Sequence, residues 1–288
     1  MRTQTPGVRK NGGKPCCGEC SVAGSDRLRY LHGSREISNL EHAMAKTPGR
    51  VHLFIPCFVD QFFPETGLAT VQLLRKQGLD VLYEKEQTCC GQPAFNSGLH
   101  DEAAHLARRF LRLFKDAEAV VAPSASCVAM VRRHYGELGL EGEDAEQWES
   151  LRERIWELSE FLVDVLHLKK VGGAFPHRVA YHTSCHGYRE LGIHNQPLSL
   201  LRSMNEIDLV ELDDQKRCCG FGGTFAVKFS GLSTAMGDDK IEAIERSGAA
   251  YVTATDDSCL MHLAGMISKR KLPIKTLHYA RILAGEGA

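Results

Sequence analysis

From residue 51 onward, hydrophobic and polar positions run through one order twice. The apolar run 51–55 leads to Cys57, as the run 179–182 leads to Cys185. Each is followed by apolar positions at helical spacing, 64–77 closed by Gly78 and then 196–204, and by a short β-type run, 80–83 and 208–212. Both of these runs end in paired cysteines followed by glycine, Cys89-Cys90-Gly91 and Cys218-Cys219-Gly220. Helical segments 101–115 and 236–246 come next and give way to apolar runs 119–122 and 250–254. Those runs end at Ser124, Ala125, Ser126 and Cys127 in one half, and at Asp256, Asp257, Ser258 and Cys259 in the other, where one more helix opens. Self-similarity of this kind sets the architecture before any local assignment. Short apolar strands alternating with helices predict an α/β fold, duplicated, with parallel sheets related by a pseudo-twofold.

Between the halves, Trp148, Leu151, Ile155, Leu158, Leu162 and Val165 recur at steps of three and four, which predicts one long amphipathic helix joining them. Gly172, Gly173 and Pro176 end it and mark the boundary. Residues 1–49 are rich in Gly, Arg, Lys and Ser without apolar periodicity and read as a mobile N-terminal tail. The expected organisation is thus a tail at 1–49, a first domain at 50–172 and a second at 173–288.

Composition narrows the class. With 288 residues, 43% hydrophobic, 25% charged and a net charge of -1, the chain has no field that would recruit nucleic acid. No apolar run approaches the roughly 18 to 20 residues of a membrane span. The first residues lack the apolar core of a secretory signal, so a cytoplasmic location is expected. Eleven cysteines in a reducing compartment then point away from a disulfide framework and toward metal or cluster ligation.

Eight of them form two sets, Cys57, Cys89, Cys90 and Cys127, and Cys185, Cys218, Cys219 and Cys259. The first cysteine of each set precedes the pair by 32 and 33 residues, and the pair precedes the last by 37 and 40. In parallel α/β folds, loops at the strand ends gather residues that are distant in sequence. Four thiolates are what a [4Fe–4S] cluster requires, giving one or two clusters per chain. Zinc also takes thiolates, but usually through two close Cys-x-x-Cys knuckles. Side chains of adjacent cysteines diverge, which suits a polynuclear site better than a single tetrahedral ion. Gly91 and the 220–223 stretch permit close backbone approach to a cluster, and equally a tight turn. A lone cysteine of either set would read as a small buried hydrophobe. Cys16, Cys17 and Cys20 in the tail have no second matching pair and read as accessory.

The duplicated Cys…Cys-Cys-Gly…Cys pattern resembles the cysteine-rich CCG domain. Within it, residues 88–93, 181–185, 217–228 and 258–259 closely resemble the lactate utilization protein A family. The resemblance implies an iron–sulfur electron-transfer subunit of an L-lactate-oxidising complex, an oxidoreductase active with its partners. Those partners would be a ferredoxin-type iron–sulfur subunit and a smaller third subunit. The CCG-containing subunit of heterodisulfide reductase is a more distant relative, whose CCG domains end in Cys-x-x-Cys. Here Ser124 and Asp256 stand at the additional position, which argues for an ordinary four-thiolate cluster; each reads as a helix cap or as an oxygen ligand.

Other readings stay open at this point. His182 or His186 beside Cys185 would serve as a proton-abstracting base, with Arg189 holding a carboxylate. The adjacent cysteines would support heterodisulfide or thiol reductase chemistry. A glycolate-oxidase-type redox subunit and a redox-silent zinc scaffold complete the set. No phosphate-binding loop or dinucleotide fingerprint is present.

Overall fold

Two four-stranded parallel sheets carry the fold, in a computed structural model that describes residues 48–213 and 216–287. Residues 1–47, with Cys16, Cys17 and Cys20, lie outside the described residues. The first half runs β1 (Arg50–Leu53), α1 (Cys57–Phe62), α2 (Pro64–Lys76), β2 (Asp80–Tyr83), α3 (Gln92–Phe95), α4 (His100–Phe114), β3 (Val120–Ala122) and α5 (Ala125–Ala129). It continues through α6 (Glu143–Arg152) and β4 (Ile155–Glu157) to a last short helix, α7 (Leu158–Glu160). The second half runs β5 (Arg178–Tyr181), α8 (Asn195–Arg202), β6 (Asp208–Glu211), α9 (Thr224–Lys228), α10 (Ser230–Ser247), β7 (Tyr251–Thr253), α11 (Asp257–Arg270), β8 (Lys275–Thr276) and α12 (Tyr279–Leu283).

The strand orders are β2-β1-β3-β4 and β6-β5-β7-β8, so the duplication read from the sequence is present in the topology. It extends to register. Arg50 pairs with Asp80 and Arg178 with Asp208, and each couple closes a surface ion pair, at 3.0 and 2.6 Å. Central strands β1, β3, β5 and β7 are almost wholly buried, as parallel strands covered on both faces should be. The helices that cover them are amphipathic at the expected spacing: α4 buries Ala103, Ala104, Ala107, Phe110, Leu111 and Phe114.

Each half has an apolar cluster of its own, and a third cluster belongs to both. Val51, Leu73 and Leu74 of the first half pack in one core with Val179, Leu201 and Ile282 of the second. Burying that surface ties the halves together before any polar contact is considered.

The joining segment corrects the sequence reading. Instead of one helix through Trp148 to Val165, α6 stops at Arg152, β4 pairs with β3, and α7 leads into a wide helical turn at Phe161–Val165. The physical reason is the open edge of β3, whose buried backbone groups require partners; Ile155 and Trp156 supply a β-branched and an aromatic residue suited to a strand. A three-residue strand between two short helices preserves the three-and-four spacing by coincidence. The restart is marked by a capping box, in which the Glu157 carboxylate accepts from the Ser159 and Glu160 N–H groups and Glu160 returns to the Glu157 N–H.

Glu157 is fully buried, and its carboxyl also accepts from Tyr279 Oη at 2.7 Å. Burial outweighs these bonds and raises it from 4.5 to about 7. Because the folded state binds this proton more tightly than the unfolded chain, its contribution is favourable below pH 4.5 and is lost as pH rises toward 7, on the order of 3 kcal/mol in all. Glu157→Gln should abolish that decline. Urea midpoints of the two proteins at pH 5 and pH 8 check it, and parallel pH dependences would refute the assignment.

Candidate metal centre

Each cysteine sits where a strand gives way to a loop or helix. Cys57 opens α1 just after β1, Cys89 and Cys90 follow β2, and Cys127 lies in α5 after β3. Cys185, Cys218, Cys219 and Cys259 stand in the matching places after β5, β6 and β7. Because both sheets are parallel, all these loops emerge at the carboxyl ends of the strands, the usual place for a ligand in such sheets.

The result is one cavity of about 860 Å³, open solvent at its mouth included, whose wall contains all eight cysteines. Cys90, Cys127, Cys219 and Cys259 are buried, while Cys57, Cys89, Cys185 and Cys218 are half-buried; all eight are free thiols.

Within each set the sulfurs touch. Cys90 Sγ and Cys127 Sγ are 3.4 Å apart. Cys89 Sγ and Cys218 Sγ each accept a backbone N–H two residues on, from Gly91 and Gly220, both at 3.4 Å. As thiols these groups share protons. The hydrogen bond from Cys57 lowers Cys89 to about 3, and the bond from Cys185 lowers Cys218 to about 2. Cys57, Cys90, Cys185 and Cys219 move the other way, first because each is engaged with a neighbouring sulfur and then because of burial. Four crowded sulfurs therefore cannot all ionise by themselves; a cation among them reverses that balance. The donors fit a metal cluster, with thiolate chemistry and amide N–H groups directed at sulfur.

The loops are held from behind. Tyr135 Oη donates to the Cys90 carbonyl at 3.0 Å, and Ser233 Oγ donates to the Gly220 carbonyl at 2.8 Å. Ser124 and Asp256 meet each other, although 132 residues separate them. Asp256 Oδ1 accepts from Ser124 Oγ at 2.7 Å, Ser126 Oγ at 2.8 Å and the Ser126 N–H at 3.1 Å. Ser124 also caps α5 by accepting from the Cys127 N–H, whereas Asp256, at the equivalent position of α11, makes no side-chain cap. Capping is thus correct for Ser124, and Asp256 instead clamps one half to the other.

The model of the cysteine-rich CCG domain matches this chain twice, at residues 51–132 and 179–264. Lactate utilization protein A of Bacillus pumilus is 40% identical over 234 residues, covering 81% of this chain and 98% of that protein. The protein of the same name from Halalkalibacterium halodurans is 42% identical over 234 residues, covering 81% and 96%. The chain belongs to the lactate utilization protein A family. Among solved structures, a hypothetical protein from Helicobacter pylori superposes with a TM-score of 0.54 at 10% identity, covering 88% of this chain and 54% of that one, which is a likeness of fold alone.

The remaining residues singled out in this family member divide clearly. His186 lines the cavity, with Nδ1 3.6 Å from Cys185 Sγ and Nε2 3.5 Å from Gln92 Nε2 of the other half. Arg189 is not part of the cavity wall and donates to the Lys216 carbonyl at 3.3 Å. His182 is fully buried behind the cavity, where desolvation lowers it to about 3. That position does not suit a base serving a substrate in the cavity. Asp257 is the lining carboxyl that the sequence reading passes over. It is buried, and burial raises it to about 7. Only its place in the second cysteine motif could have flagged it.

Proposed function

We propose that the chain is an iron–sulfur electron-transfer subunit of an L-lactate-oxidising complex, acting in the cytoplasm. The observation that carries this reading is the convergence of two matched cysteine sets on one cavity. Cys57, Cys89, Cys90 and Cys127 would hold one centre, and Cys185, Cys218, Cys219 and Cys259 a second. Bound [4Fe–4S] clusters would supply one-electron acceptance and release. The protein's own part is to fix the thiolates, to direct the Gly91 and Gly220 N–H groups at sulfur and to keep the deeper cysteines from water. The relatives' name supports lactate as the substrate of the whole assembly.

Its partners would be a ferredoxin-type iron–sulfur subunit and a smaller third subunit. The rim of the cavity favours docking of another protein. Phe58 and Phe221 line the wall, and Phe62, Val227, Phe229 and Leu232 nearby in sequence are 58–83% exposed. The Phe58 ring lies 5.8 Å from Phe62 and 5.5 Å from Phe221 between centroids, and exposed apolar side chains in contact mark interaction surfaces. No helix among the described residues is long and apolar enough to cross a membrane.

The test is direct. Protein purified without oxygen should show a broad absorption near ~400 nm that bleaches with dithionite, with about four irons and matching acid-labile sulfide per cluster. A colourless protein containing only zinc would overturn this reading in favour of a scaffold.

A further inference from the structure

The two halves differ at the residue directly after their central strands, three positions before the first cysteine of each set. In the first half this is Phe54, fully buried and edge-on to Phe110 with ring centroids 4.8 Å apart. In the second it is His182, equally buried. The next two positions follow the same trend: Ile55 and Pro56 are replaced by Thr183 and Ser184.

A phenyl ring belongs in such a place, and an imidazole does not unless something binds it. Neither ring nitrogen of His182 has a hydrogen-bond partner within the protein, and the hydroxyls of Thr183 and Ser184 lack one as well. An orphaned buried polar group is costly, and its presence in a folded protein calls for a physical reason. One ring nitrogen of His182 and the sulfurs of Cys219 and Cys259 all lie within 4.8 Å of one another, and all three residues are buried. Imidazole nitrogen beside thiolate sulfur is a donor combination used by zinc and by iron–sulfur centres alike.

We propose that His182 is a metal ligand of the second centre, adding a nitrogen donor to Cys185, Cys218, Cys219 and Cys259 that the first centre lacks. The inference rests on the reading that the cysteine sets hold metal. It makes the duplicated centres chemically unequal: the second gains an imidazole donor, and polar groups surround it where the first has Phe54, Ile55 and Pro56. The more polar surroundings raise a reduction potential. The second centre is then the one on which an electron comes to rest, and the first is the stronger reductant.

X-ray absorption on the full chain, purified without oxygen, tests this at the edge of whichever metal it carries. The expected spectrum contains imidazole scattering in the wild type, lost in His182→Phe and kept in Cys57→Ala. Where iron is bound, a redox titration should also move one centre of His182→Phe to lower potential and leave the other in place. A wild-type spectrum without imidazole scattering is decisive even if the variant misfolds, and His186→Phe, which should keep the scattering, separates His182 from the imidazole beside Cys185. Iron and sulfide without imidazole scattering would overturn the inference and leave the electron-transfer reading intact. Zinc with imidazole scattering would uphold the inference and overturn that reading, while a protein that binds no metal would overturn both.

Discussion

Gly220→Ala is expected to cost the folded protein about 3 to 5 kcal/mol, and Gly91→Ala, its counterpart in the first half, only about 1 to 2. Both glycines follow a cysteine pair and both are left-handed, with φ of 91° and 89°. That conformation alone penalises an alanine by about 1 to 2 kcal/mol. The difference lies in what a Cβ would meet. At Gly91 the nearest atom is the Ala103 carbonyl oxygen at 3.4 Å, an ordinary contact. At Gly220 it is the Ser233 carbonyl oxygen at 2.5 Å, with Met236 Cβ at 3.1 Å and the Gly237 nitrogen at 3.3 Å. These atoms belong to α10 and cannot rotate aside, so the turn or the helix must shift. The Gly220 carbonyl would also strain its bond from Ser233 Oγ. Urea unfolding of both variants, with unchanged dependence on denaturant, should show the ordering. Equal losses would mean that α10 does not press on the turn.

The same pair shows how far duplication makes a sequence legible. The recurring order of apolar run, helix, β-type run and paired cysteine locates six of the eight strands, because each of those runs ends in a cysteine motif that fixes its place. Helix α2, expected at 64–77, spans Pro64–Lys76, since Pro64 and Gly78 bracket it. The other two strands, β4 and β8, have no such marker. β4 is three residues long and β8 two, and both lie at sheet edges, where pairing with a neighbour decides the structure more than the residues themselves do.

At the site, the eight cysteines are recognisable by their order, and their convergence on one cavity follows from parallel strands. What spacing could not convey is contact between the halves. Gln92 meets His186, and Ser97 Oγ lies 3.2 Å from Thr224 Oγ1, across separations of 94 and 127 residues. Nor does local sequence separate His182 from His186. Four residues apart, one is sealed behind Cys219 and Cys259 while the other reaches the cavity, because His182 directly follows a buried strand and His186 lies at the start of a helical turn.

Asp256→Ala should lower stability by about 3 to 5 kcal/mol, whereas Asp256→Asn should cost about 1. One carboxylate oxygen, Oδ1, accepts three hydrogen bonds from Ser124 and Ser126 of the opposite half, in a place only 2% exposed. Alanine would leave the buried Ser124 hydroxyl and the Ser126 donors without an acceptor at the seam where the halves meet, which is the costly way to remove such a group. Asparagine keeps a carbonyl oxygen at the same point and sacrifices mainly the charge. Coupling between Asp256→Ala and Ser126→Ala, read from a double-mutant cycle, should amount to about 1 to 2 kcal/mol, and hydrogen exchange should quicken at the starts of α5 and α11 together. The clamp also competes with the alternative that Asp256 supplies oxygen to a metal. A ligand would make Asp256→Asn lose metal while the fold keeps its stability; a clamp leaves the metal content of Asp256→Asn unchanged, and the penalty appears in the unfolding midpoint of Asp256→Ala.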